Sequence, residues 1–138
     1  MIALGTTVAS ALPPNCWVTL SGDLGTGKTT FAQGMARAWN IREPITSPTF
    51  NLLILYQGNR QLAHIDAYRL TSATDLDGLF LDEILHPPWN GILEWPEKVQ
   101  PLPFEPACQL VFSHAGEQGR RVRLEGAAID KPASSVHL

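Results

Sequence analysis

Eight residues carry the clearest chemical signal in this chain. Gly22-Asp23-Leu24-Gly25-Thr26-Gly27-Lys28-Thr29 fits the spacing G-x-x-x-x-G-K-[ST] of a phosphate-binding loop. Glycines allow backbone N–H groups to close around an anionic phosphate chain. A lysine at the seventh position can reach the terminal phosphates, and the hydroxyl after it can bind Mg²⁺. The motif points to a nucleoside triphosphate but does not say what is done with it.

A triphosphate site that uses Mg²⁺ also needs acids at nearby strand ends, because the ion takes oxygen ligands. Two apolar runs close with such an acid. Leu62-Ala63-His64-Ile65 ends in Asp66, and Ile92-Leu93 ends in Glu94. The carboxyl edge of a sheet is where ligands sit in this class of fold. Each acid alone also fits a strand-end cap or a surface charge. His64, two residues before Asp66, shares its face, although a lone histidine is more often structural. Arg69 fits a salt bridge better than a phosphate contact. Trp95 suits either stacking on a base or the core. Arg120, Arg121 and Arg123 form a small basic cluster. It suits a charged strand edge, or a contact to a nucleotide or an acidic partner.

The elements that must position these residues are legible in outline. Cys16 to Leu20 is an apolar run that reads as a buried strand, and Thr29 to Trp39 reads as a helix with Phe31, Met35 and Ala38/Trp39 on one face. Strand, glycine loop and helix form the context that the motif requires. Its helix N-terminus would aim free N–H groups and a positive dipole end at the phosphates. Residues 1–12 carry Leu4, Val8 and Leu12 at helical spacing, stopped by Pro13-Pro14. Pro44 and Pro48 bracket a connector. Phe50 to Tyr56 and Leu62 to Asp66 read as strands joined by a turn at Gln57-Gly58-Asn59-Arg60. One helix is expected over residues 72–85, then a short strand at Gly91 to Trp95 and a proline-rich irregular stretch. Leu110 to Phe112 and Val122 to Leu124 read as late strands. The expected organisation is a single α/β domain over residues 1–125, a phosphate-loop NTPase-like mixed sheet flanked by helices. Residues 126–138 are expected to form a disordered tail.

Composition narrows the class. The chain has 138 residues, 44% of them hydrophobic, enough for one cored domain. A net charge of −3 argues against a broad nucleic-acid-coating surface. Lys28 is one of only three lysines, with Lys98 and Lys131, so its place in the loop stands out. Cys16 and Cys108 lack metal-ligand spacing and imply no disulfide framework or disulfide-linked partner. No signal peptide or membrane span is visible, and a cytoplasmic protein is expected.

Four segments together are more specific than the loop alone. They are Gly22 to Phe31, Ser47-Pro48-Thr49-Phe50, His64-Ile65-Asp66-Ala67-Tyr68-Arg69-Leu70, and Glu94-Trp95-Pro96-Glu97. In this order and spacing, over roughly residues 4–125, the chain resembles the TsaE family. These are bacterial ATPases of tRNA threonylcarbamoyladenosine (t6A) biosynthesis. The resemblance implies binding of ATP and Mg²⁺, slow ATP hydrolysis, and work with a TsaB–TsaD pair that transfers the threonylcarbamoyl group to tRNA. It implies that ATP turnover resets that pair, and that tRNA is met through the complex. By the same resemblance Gly25, Thr26, Gly27, Lys28, Thr29 and Thr30 bind the phosphates, with Thr29 on Mg²⁺. Thr49 acts as a switch residue sensing the γ-phosphate. Asp66 serves the metal or the attacking water, and Glu94 is the second acid near Mg²⁺. Trp95, Pro96 and Glu97 line the nucleotide side, and Arg120 or Arg121 is a late basic residue near it. Two departures stand out. Only Met1 to Ala3 precede Leu4, where the family has a longer segment that helps cover the adenine. Phe80 stands where the family usually has glycine.

Other readings remain at this level. A small-molecule kinase would need an arginine-bearing lid, and none of Arg37, Arg42, Arg60 and Arg69 sits in an obvious lid insertion. A GTP-dependent switch would carry Asn-Lys-x-Asp, which is absent. A non-hydrolysing, nucleotide-dependent interaction module is a further alternative.

Overall fold

A computed structural model describes residues 1–46, 48, 52–127 and 135–137. The elements follow in the order α1 (Ile2–Ala11), β1 (Cys16–Ser21), α2 (Lys28–Ala38), β2 (Leu53–Gln57) and β3 (Gln61–Asp66). Two single-turn helices come next, α3 (Thr74–Asp77) and α4 (Leu81–Ile84), then β4 (Trp89–Glu94) and a 3-10 turn at Pro96–Val99. The chain closes with β5 (Cys108–Ala115), β6 (Gly119–Ala127) and β7 (Ser135–His137).

The seven strands make one mixed sheet in the order β2-β3-β4-β1-β5-β6-β7. The middle pairs β3–β4, β4–β1 and β1–β5 are parallel, whereas β2–β3, β5–β6 and β6–β7 are antiparallel. The α/β class with hairpin-bearing edges thus stands as expected. The parallel strands read as near-continuous apolar runs because both of their faces are covered.

Alternation along the strands sends residues to two cores. Val18, Leu20, Leu62 and Ile92 pack beneath α1 and α2 with Phe31, Met35 and Phe112. On the other face Trp17, Ala63, Ile65 and Leu93 meet Leu76, Leu85 and Val99. Trp17 stacks on Phe104 there, with ring centroids 4.6 Å apart. Helix α1 lies unusually close to α2 because each contributes a glycine. A Cβ on Gly5 would strike the Phe31 carbonyl oxygen, and one on Gly34 the Ile2 carbonyl oxygen. Thr6 Oγ1 uses this approach to donate to the Gly34 carbonyl at 2.9 Å.

The floor of the sheet is tied by a buried amide. Asn90 Nδ2 donates to the carbonyls of Pro13 (3.0 Å) and Cys16 (3.3 Å), while its Oδ1 accepts from Arg60 Nη1 at 2.9 Å. This joins the α1–β1 connector, β4 and the β2–β3 turn.

Several expectations change. The helix expected over 72–85 is two separate turns, because Phe80 between them adopts left-handed backbone (φ 52°, ψ 49°). The side chains at 76, 79 and 84 still face apolar partners, so the apolar pattern survives the break in the backbone. Strand β2 begins at Leu53; Phe50 lies outside the described residues. In the segment expected as a tail, β6 continues through Ala127 and residues 135–137 pair with it, Val136 opposite Val122.

Candidate functional site

The glycine loop runs from the end of β1 to the start of α2, as the motif requires. Gly27 sits immediately before α2 with φ 103°, a conformation that an L side chain rarely adopts. A Cβ there would also come within 2.6 Å of Met1 Cε. Inside the loop, Thr26 is buried and its Oγ1 donates to the Asp23 carbonyl at 2.6 Å. That bond closes the turn from within. The first turn of α2 then presents N–H groups that have no partner inside the helix, at its positive dipole end.

Lys28 is almost fully covered, at 5% exposure. Its Nζ donates to the Gly22 carbonyl, lies 3.8 Å from Glu94 Oε1 and sits 4.2 Å above the Trp95 ring. Burial pushes its pKa below the ordinary value of 10.5; Glu94, then Asp66, Glu97 and Asp23 oppose that shift. The ammonium is thus held by a carbonyl, a carboxylate and a ring. A phosphate chain entering the loop offers it stronger, charge-assisted partners.

Glu94 closes β4 beside the loop and is 3% exposed. Its Oε2 lies 2.5 Å from His64 Nε2, and the His64 ring is wholly buried. The contact is diagonal across neighbouring parallel strands: Ile92 is the register partner of His64, and Glu94 that of Asp66. Residues 64, 66, 92 and 94 therefore share the face that α2 covers. Asp66 is half-buried, and its Oδ1 accepts the Tyr68 N–H at 2.9 Å. Beyond Glu94 the backbone of Trp95 turns left-handed, and its N–H donates to the Leu20 carbonyl at 3.2 Å. This presents the Trp95 ring to Lys28 on one side and to Tyr68 on the other, ring centroids 4.9 Å apart. Lys98 Nζ lies 5.2 Å from the Tyr68 ring.

A cleft of about 620 Å³ opens over the loop. Gly25, Gly27, Lys28, Thr29 and Thr30 form its floor and Glu94 one wall. The β5–β6 hairpin reaches over it with Gln118 and Arg120, and Met1 and Leu24 edge it. Of the residues singled out in the sequence, Gly25, Gly27 to Thr30, Glu94 and Arg120 thus come together. Thr26 is buried within the loop and does not line the cleft, and the Trp95 ring packs against the Lys28 ammonium. Pro96 and Glu97 belong to the 3-10 turn and are not among the lining residues. Thr49 lies outside the described residues. Sequence reasoning missed Gln118 and Met1, which carry no motif. It left His64 as a structural histidine, since nothing local shows that it meets Glu94.

The donor set suits a hard divalent cation. Thr29 and Glu94 face the same cleft, and Asp66 stands next to Glu94 in register. Among the described residues no group of three or more His, Cys, Asp or Glu could hold a metal on its own. Also among the described residues, no helix is long and apolar enough to cross a membrane.

Comparison with known proteins converges on one family. The family model described as threonylcarbamoyl adenosine biosynthesis protein TsaE matches residues 1–122. The tRNA threonylcarbamoyladenosine biosynthesis protein TsaE of Treponema pallidum is 41% identical over 95 residues, 69% of this chain and 70% of that protein. The protein of the same name from Bacillus subtilis is 33% identical over 121 residues, 87% of this chain and 75% of the relative. The crystal structure of Bacillus subtilis YdiB superposes with a TM-score of 0.64 at 33% identity, covering 88% of this chain and 74% of that one.

Proposed function

The chain belongs to the TsaE family, and from that premise we propose that it is a Mg²⁺-dependent ATPase of t6A biosynthesis. It acts with a TsaB–TsaD pair, and its hydrolysis of ATP resets that pair between cycles of tRNA modification. The observation that carries the ATPase reading is the placement of Lys28 and Glu94 on one cleft at the mouth of the glycine loop.

In this reading the loop from Gly25 to Thr30 grips the β- and γ-phosphates with backbone N–H groups, at the dipole end of α2. Lys28 leaves Glu94 and Trp95 to meet the phosphate oxygens. Its departure releases Glu94 Oε1, which is then free to hold and orient a water for attack on the γ-phosphorus. The Thr29 hydroxyl and the Asp66 carboxylate are the groups that would hold Mg²⁺, with Glu94 as the second acid beside them; the ion, when bound, would neutralise phosphate charge. Arg120 adds a positive charge from the hairpin above. Thr49 serves as the γ-phosphate sensor.

The test is ATP turnover by the purified chain with Mg²⁺, in the presence and absence of TsaB and TsaD, together with co-purification of the three proteins with and without ATP. Hydrolysis that appears or strengthens with the pair supports the reading. Phosphate transfer to a metabolite, indifferent to the pair, sinks it and favours a small-molecule kinase.

A further inference from the structure

The buried imidazole behind Glu94 has no part in the chemistry above, yet its geometry is specific. Among the described residues His64 is the only histidine, acid or base at 0% exposure. Its Nε2 lies 2.5 Å from Glu94 Oε2, and among the described residues its Nδ1 has no hydrogen-bond partner. The flanking residues on its own face, Ile54 opposite and Ile92 alongside, are apolar.

We propose that His64 is a positioning residue for Glu94: through a hydrogen on Nε2 it fixes Oε2 and leaves Oε1 as the working oxygen. The inference deepens the ATPase reading and rests on it. The unpartnered Nδ1 decides the tautomer. A hydrogen on Nδ1 would be a buried donor with no acceptor, whereas a bare lone pair there is less costly. With the hydrogen on Nε2, the ring donates to Oε2 and removes that oxygen from competition for Lys28 or water. The two carboxylate oxygens of Glu94 thereby acquire different duties. Oε2 faces inward to the ring, and Oε1 faces Lys28. Without this bond the carboxylate could rotate about its last torsion and present either oxygen to the cleft. A residue that orients a working carboxylate through a second hydrogen bond commonly alters activity by about 10- to 100-fold when removed.

The experiment compares the intact chain with His64→Leu and His64→Gln. Glutamine ends in an amide nitrogen that reaches close to the position of Nε2, so it restores the donor; leucine fills similar space without one. Turnover with TsaB and TsaD and affinity for a fluorescent ATP analogue are measured for each. His64→Leu is expected to lower kcat by about 10- to 100-fold, with KM and analogue affinity within about threefold of the intact chain. His64→Gln is expected to recover kcat to within about fivefold of the intact chain. Unchanged kcat in His64→Leu, equal losses in both variants, or a loss confined to KM overturns the proposal. Nitrogen-15 NMR of histidine-labelled protein supplies a readout that does not need turnover and applies even if His64→Leu fails to fold. It is expected to show the His64 hydrogen on Nε2, with that resonance moving in Glu94→Gln; a hydrogen on Nδ1 overturns the proposal. An intact chain that shows the Nε2 tautomer but hydrolyses no ATP refutes the ATPase reading instead.

Discussion

Asp66 and Glu94 stand side by side in register at the carboxyl ends of the parallel strands β3 and β4. The two acids are not equivalent. Glu94 is buried between His64 and Lys28, whereas Asp66 is half-buried and accepts a hydrogen bond from the backbone two residues on. A buried carboxylate with assigned partners is suited to fixed geometry. A half-exposed one is suited to exchange of water and ions.

Glu94→Gln separates binding from turnover. The amide keeps the size and one oxygen of the side chain but cannot act as a base. Analogue binding is expected to stay within about threefold, and kcat to fall by about 100-fold or more, the range of a lost general base. Equilibrium binding and steady-state ATPase assays check the split; the opposite ranking contradicts the role.

Lys28→Ala removes the one lysine of the loop. Hydrogen bonds to charged groups contribute about 1.5–3 kcal/mol each, so analogue affinity is expected to fall by roughly 10- to 100-fold. Fluorescence titration of the folded variant measures this.

Lys28 also makes a pH prediction for the nucleotide-free protein. Burial holds its folded pKa below the ordinary 10.5. Between the folded and unfolded values the unfolded chain binds the extra proton, so stability rises with pH across that window. Relative to Lys28→Met, the intact chain is expected to gain stability as pH climbs toward 10.5. Urea unfolding of both proteins at a series of pH values reads the difference, and a relative loss would contradict it.

Phe80→Gly is expected to stabilise the fold. Phe80 occupies left-handed backbone at 63% exposure, so its ring hides little surface while its Cβ is strained. Relief of that strain, less the entropy of a new glycine, comes to about 0.5–1 kcal/mol, roughly 2–4 °C in Tm. Calorimetry of the two proteins tests it, and a lower Tm would show that the ring holds more packing than its exposure suggests.

The buried thiol of Cys108 is expected to resist labelling. Desolvation pushes its pKa to about 12, so its thiolate is scarce at pH 8. Cys16 is also raised by burial but is only half-covered. An aromatic disulfide reagent should therefore modify Cys16 first and Cys108 only after unfolding. Mass spectrometry of labelled peptides identifies the order.

How much of this was legible in the sequence depends on the range of the interaction. The loop, α2 and the acids at 66 and 94 were readable because their signals are local: glycine spacing, an apolar stripe, an apolar run ending in a charge. The break at Phe80 was not, because a phenylalanine in left-handed backbone leaves the helical spacing of Leu76, Leu79 and Ile84 intact. The bond from His64 to Glu94 joins strands thirty positions apart in sequence, and only the parallel register reveals it. Arg120 was found through family resemblance, whereas its neighbour Gln118 reaches the cleft only because the β5–β6 hairpin folds over it.

Strand β4 carries a polar buried residue near each end, and their partners differ in kind. Asn90 is fastened to two backbone carbonyls and to Arg60, none of which has reason to leave. Glu94, about 13 Å along the strand at its usual rise, faces a lysine that a phosphate can draw away. The strand is therefore built like a lever clamped at its heel. Displacement of Lys28 can be answered at the tip without disturbing the sheet's foundation, so the chain has a fixed reference against which a small movement at the cleft can be measured.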